Sequence, residues 1–175
     1  MPNRVGLVVE GPDDEIVIKG ILKKLRVPFK IIVARGSGNL KRKATSYSEL
    51  LRSSGCEKII IIRDLNCGDY DSVRNDLAEC LVNDIKLCIP IHEMESWLLA
   101  DNAALSTVLH SHVPSVSDPE SVHDAKARMK EIFEKVGRSY VPLKDLPQIT
   151  HHLKLDAVRK KCGSYLSFEN LVNDC

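Results

Sequence analysis

The chain is predicted to fold as an α/β domain: a three-layer sandwich with a mainly parallel central sheet of about four strands, plus a C-terminal helical extension. Three observations carry this expectation. Four short runs are apolar on both faces, stretches with helical spacing separate them, and the last third of the chain has helical patterns without strands.

The strands are read at residues 4–9 (RVGLVV), 29–34 (FKIIVA), 58–63 (KIIIIR) and 86–91 (KLCIPI), each rich in β-branched residues. From Asp14 to Leu25, Ile16, Val17, Ile21, Leu22 and Leu25 fall on one side of a helix, and from Asp71 to Val82 so do Val73, Leu77, Cys80 and Leu81. The connection from Leu40 to Arg52 is less regular but long enough for a helix. Further on, Asp118 followed by Pro119 reads as an N-cap and first-turn proline ahead of an amphipathic run from His123 to Val136, and LPQITHHLKLDAVRKKC continues the helical pattern. The expected division is an α/β domain over residues 1–112 and a helical extension over 113–175 packed on it.

Composition narrows the function classes only a little. The 25 basic and 24 acidic residues nearly cancel, so no global field draws the chain to nucleic acid or membrane, and a polyanion site must be built locally. No apolar run approaches the roughly 18 residues of a membrane span, and the N-terminus lacks signal-peptide character, so a cytoplasmic protein is expected. The six cysteines form no CxxC pair, which points to reduced core thiols rather than a zinc ribbon. HSH at 110–112 and HH at 151–152 lack the spacing of a helical metal pair and read as surface histidines.

Crossovers in a parallel sheet bring the C-terminal ends of all strands to one edge, where open α/β sheets bind ligands. Glu10, the segment Arg35 to Asn39, the segment Asp64 to Asp69, and His92 to Glu95 therefore meet there. Three ionised acids about 5 Å apart would repel by roughly 10 kcal/mol in total at an effective dielectric of about 20. That is comparable to the net stability of a domain, about 5–15 kcal/mol. A raised pKa, a basic partner or a divalent cation must relieve it, unless the acids splay into water. Oxygen ligands favour Mg²⁺ or Mn²⁺ over zinc.

RGSGNLKRK (residues 35–43) combines Gly36, Ser37 and Gly38 with Arg35, Lys41, Arg42 and Lys43, and suits a phosphate; the alternative is a solvated loop. His92 is placed to shuttle a proton or to hold a carboxylate. In HEMESWLLAD, Trp97, Leu98 and Leu99 read as core, while Glu93 and Glu95 are candidates either for metal or for the N-terminus of a helix starting near His92.

VEGPDD at the first strand end and IIIIRDLN at the third resemble the Toprim domain of topoisomerases, primases, the ribonuclease that matures 5S ribosomal RNA, and the overcoming-lysogenization-defect nucleases. IPIHEMESWLLAD (residues 89–101) resembles a Toprim-related microbial family known only as a domain of unknown function, and together the matches span roughly residues 4–105. The resemblance implies a Toprim fold, Mg²⁺ (or Mn²⁺) dependence and phosphodiester chemistry on DNA or RNA. It implies that Glu10 is a metal ligand or general base and that Asp64 is the first acid of a DxD pair. Asn66 stands where that pattern has its second acid, with Asp69, Glu93 and Glu95 as possible compensating ligands.

The expected function is thus a metal-dependent nuclease using Glu10, Asp64 and His92, with Lys41 or Lys43 on the scissile phosphate. The alternative is a non-catalytic nucleotide- or nucleic-acid-binding module working with a partner such as an ATPase, since no Walker loop is present in the chain itself. Topoisomerase or primase activity has no supporting tyrosine context or template-reading domain, and nothing in the sequence indicates an oligomeric state.

Overall fold

A computed structural model describes residues 4–81 and 85–174. Four strands, β1 (Arg4–Val9), β2 (Phe29–Val33), β3 (Cys56–Ile62) and β4 (Ile85–Cys88), form one sheet in the order β2-β1-β3-β4. Every pairing is parallel, so the expected "mainly parallel" sheet is wholly so. The crossovers are α1 (Pro12–Leu25), α2 (Ser37–Ser53) and α3 (Tyr70–Asp76). They are followed by α4 (Glu95–Leu99), α5 (Asn102–Leu109), α6 (Ala125–Glu134), α7 (Pro142–His152), α8 (Leu155–Lys161) and α9 (Gly163–Asn173).

Alternation along the strands assigns side chains to two layers. Val5, Leu7, Val9, Ile60 and Ile62 pack with α1 and with the C-terminal helices in one core. Val8, Ile59 and Ile61 pack with Leu40, Ala44 and Leu51 of α2 and with Leu77 and Cys80 in the other. The central strands β1 and β3 are thus covered on both faces along their apolar runs, residues 5–9 and 59–62. Trp97, Phe133, Tyr165 and Phe168 belong to the same core as β1, so residues after 112 complete one layer of the sandwich. Close approach is built in at Gly20, where a Cβ would lie 2.6 Å from the Cβ of Thr150, so glycine lets α7 lie against α1.

Several boundaries differ from expectation for local reasons. α2 begins at Ser37, taking RGSGNLKRK mostly into a helix, with Gly36 as its N-cap at φ +114°. α3 ends at Asp76 and the chain turns through Leu77–Cys80; Val82, the expected helix end, lies outside the described residues. Asp118 and Pro119 open only a single 3₁₀ turn (Pro119–Ser121), and α6 is capped instead by Asp124, whose carboxylate accepts from Ala127 N at 2.7 Å. Cys56, Cys80, Cys88 and Cys162 are buried free thiols as anticipated, but Cys67 is exposed; Cys175 lies outside the described residues. Among the described residues, no helix is long and apolar enough to cross a membrane.

Candidate functional site

β1 leads through α1 to β2 on one side, whereas β3 leads through α3 to β4 on the other. The chain therefore diverges between β1 and β3, the kind of crevice in which open α/β sheets bind ligands. Glu10 follows β1 and Asp64 lies just past β3, so the two acids flank that point.

Backbone hydrogen bonding continues beyond the ladder and fixes these segments. Ala34 N donates to Val9 O at 2.8 Å and Gly36 N to Glu10 O at 2.9 Å. On the other side, Arg63 N donates to Cys88 O at 3.1 Å, Leu65 N to Pro90 O at 3.0 Å and Asn66 N to His92 O at 2.8 Å. The strand-end loops are thus held in two pairs by main-chain bonds, β1 with β2 and β3 with β4, on either side of the crevice.

Glu10, Asp14, Asp64 and Glu95 interact electrostatically within this crevice. Burial raises the pKa of Glu10, opposed by Arg63 and by the Asp64 amide. Burial also pushes Asp14 up to about 6, although its Oδ2 accepts from Gly11 N at 2.9 Å. Asp64 is held well above the usual carboxylate range, first by burial and then by repulsion from Asp14, Glu95 and Glu10. Glu95, only 3% exposed, is raised by burial and partly restored by Lys126. Oε1 of Glu10 and Oδ1 of Asp64 are buried without a hydrogen-bond partner. For Glu10, Arg63 Nε stands off at 3.8 Å, too far for a hydrogen bond.

Two cations temper the cluster. Arg63 approaches Glu10 and reaches Asp76 Oδ2 at 3.1 Å. Lys126 Nζ lies 3.3 Å from Glu95 Oε1 and 3.5 Å from Asp13 Oδ2. Two of the three routes of relief open to crowded carboxylates, raised pKa and basic partners, are therefore built into the protein itself. Replacing Lys126 by Met is expected to destabilise by about 1–2 kcal/mol near pH 8, moderated because the lysine is partly exposed. The loss should shrink near pH 5: without Lys126 the folded Glu95 pKa rises further, and a raised carboxylate pKa makes stability fall as pH climbs above the unfolded value. Urea unfolding at the two pH values measures the difference.

The remaining sequence-predicted residues are distributed as follows. Asp69 is exposed and caps α3, accepting from Ser72 N at 2.9 Å and Ser72 Oγ at 3.0 Å, bonds that lower its pKa. Asn66 is exposed, in the left-handed region at φ +49°. Glu93 does not cap a helix starting near His92, because α4 begins only at Glu95; its Oε2 accepts from Lys126 N at 2.9 Å, at the start of α6. His92 is left-handed at φ +59°, with its ring 4.4 Å from that of His123.

Arg35, Gly36, Ser37 and Gly38 are exposed at the start of α2, and a Cβ at Gly38 would meet nothing within 4 Å, so this turn is open. Lys41 Nζ is committed to Asp76 Oδ1 at 2.6 Å, whereas Lys43 is exposed. HSH and HH are exposed, as anticipated.

Sequence reading missed Arg63 and Lys126 as partners of the acids, and left Asp14, though near the acid cluster at the sheet edge, out of the candidate site residues. The signal for Asp14 was its place in the first turn of a helix that starts at the sheet edge, close to the strand ends. Nothing in the sequence pointed to Lys126, which comes from a helix remote in the chain. Among the described residues, the one group of three His, Cys, Asp or Glu side chains whose ligand atoms all lie within 4.8 Å is Cys67, His92 and His123, not a set of carboxylates.

Residues 9–174 match the model of the family described as Domain of unknown function (DUF4276), and the chain belongs to that family. No curated protein and no solved structure matches it.

Proposed function

We propose that this member of the DUF4276 family is a Toprim-like, divalent-metal-dependent phosphodiesterase acting on DNA or RNA. The observation that carries the proposal is the pair Glu10 and Asp64, adjacent at the point where the chain diverges, each with a buried oxygen lacking a partner. Orphaned anionic oxygens fit a hard cation, and Mg²⁺ or Mn²⁺ would be held by these two residues, with Asp14 or Glu95 nearby to supplement them. Asn66 and Asp69 contribute less than the sequence suggests, being exposed and, for Asp69, engaged with Ser72. Bound there, the cation would polarise the phosphodiester and make the attacking water more acidic.

The protein's own groups divide the remaining work. Glu10, its proton affinity raised by burial, accepts the proton of the attacking water at the carboxylate oxygen left free of the cation. Arg35, Lys43 and the open first turn of α2 attract the phosphate, the helix N-terminus favouring an anion. Lys41 acts through Asp76, which it shares with Arg63, and so sets the position of the guanidinium beside Glu10. His92 contributes through its contact with His123 rather than as the primary base.

The test is cleavage of labelled single- and double-stranded DNA and RNA with and without Mg²⁺ or Mn²⁺. Wild type is expected to cut only with metal, and Glu10→Gln to lose at least about a hundredfold in rate. A folded Glu10→Gln protein cutting at the wild-type rate would refute the assignment.

A second reading, a binding module that works with a partner ATPase, is favoured by one observation. Lys126 already sits between Glu95 and Asp13, where it neutralises part of the acid cluster without metal. Phosphate-dependent binding of nucleic acid with no turnover under any metal would select this reading.

A further inference from the structure

Cys67, His92 and His123 come from three different loops: the one after β3, the one after β4 and the one leading into α6. Their donor atoms all lie within 4.8 Å of one another, and Cys67 Sγ is 3.7 Å from His123 Nδ1. Tetrahedral zinc, with bonds of about 2.3 Å to sulfur and about 2.0–2.1 Å to nitrogen, sets its ligands about 3.3–3.6 Å apart. The observed spacing is within a small side-chain adjustment of that. We propose that Cys67, His92 and His123 form a three-ligand site for a zinc-class divalent cation, with a fourth position open to solvent or substrate.

Three features support a built site rather than a chance meeting. The loops are braced against one another: Asn66 N donates to His92 O at 2.8 Å, and Lys126 N to the Glu93 carboxylate at 2.9 Å, tying the β4 loop to the start of α6. Nδ1 of His92 is buried with no hydrogen-bond partner, so the ring carries an unmet polar group at this cluster. Asn66, Cys67 and His92 all adopt positive φ (+49°, +56° and +59°), a conformation that side chains other than glycine take up at a cost and that clusters at functional sites. A thiolate with two imidazoles selects Zn²⁺, Co²⁺ or Ni²⁺ over the Mg²⁺ preferred by carboxylates. The site stands whether or not the neighbouring acids cut a phosphodiester.

Co²⁺ titration of the reduced, metal-free protein tests this directly. One equivalent is expected to bind with a thiolate-to-cobalt charge-transfer band and tetrahedral visible bands, both abolished by Zn²⁺. Cys67→Ser, at an exposed position, should lose the charge-transfer band, and His123→Ala should weaken binding at least about tenfold. Cys175→Ser, and Asp64→Asn in the proposed phosphodiester site, should leave the spectrum unchanged. Zn²⁺ should also slow alkylation of Cys67 by iodoacetamide. No charge-transfer band in wild type, its survival in Cys67→Ser, its loss in Asp64→Asn, or alkylation indifferent to Zn²⁺ would each overturn the assignment.

Discussion

An Asp64→Asn protein is expected to melt about 3–8 °C above wild type near neutral pH without divalent metal, while losing at least about a hundredfold in metal-dependent cleavage. Asp64 is repelled by three neighbouring acids and leaves one buried oxygen unpartnered. An amide of the same shape removes one charge and offers a donor to those neighbours. The sign follows from linkage. Carboxylates whose folded pKa is raised keep their protons longer in the folded state, so stability falls as pH rises from the unfolded value, about 4, through the folded one. For Asp14 that fall extends to about pH 6, and Asp64, held well above the usual carboxylate range, contributes a fall of the same sign. Wild type without metal should therefore lose stability between pH 4 and neutrality, and Asp64→Asn should flatten that slope. Adding Mg²⁺ should raise the melting temperature of wild type and leave the variant unmoved. A variant that melts below wild type at neutral pH would mean the acids are not in conflict.

Trp97→Ala is expected to cost about 3–5 kcal/mol in urea unfolding, much of the net stability of a domain this size. Trp97 is fully buried, edge-on to Tyr165 at 5.4 Å between ring centroids and 5.6 Å from Phe168. Its Nε1 donates to Ser164 Oγ at 2.8 Å, and that hydroxyl in turn donates to Glu120, whose carboxylate also caps α9 through Gly163 N and Ser164 N. Trp97→Phe keeps the ring but not the N–H, and should cost less. Because Trp97 anchors the five-residue α4, whose first residue is Glu95, the alanine variant should also weaken metal-dependent activity at temperatures where it remains folded. A loss under about 1 kcal/mol would contradict this account of the core.

The strands were legible because residues 5–9 and 59–62 are apolar on both faces, a demand that a sheet covered on both sides imposes on its central strands. The meeting of Glu10 with Asp64 followed from strand direction alone. What was hidden depended on contacts that no edge rule supplies. Lys126 and His123 arrive from the helical half, and their partners are set by how α6 docks. RGSGNLKRK looked like a loop because its glycines mask a helix whose buried face, Leu40, Ala44, Ser48 and Leu51, includes a serine satisfied by its own backbone at Ala44 O. Cys67 escaped notice because cysteine spacing in the sequence says nothing about ligands drawn from three separate loops.

The shared core has a consequence for biosynthesis. When the ribosome has released only the first 112 residues, the sheet can pair, but Val5, Leu7 and Ile60 still await Phe133, Tyr165 and Phe168. Until α9 emerges, that greasy surface has only part of its cover, so the nascent chain passes through a sticky interval in which chaperones have something to hold.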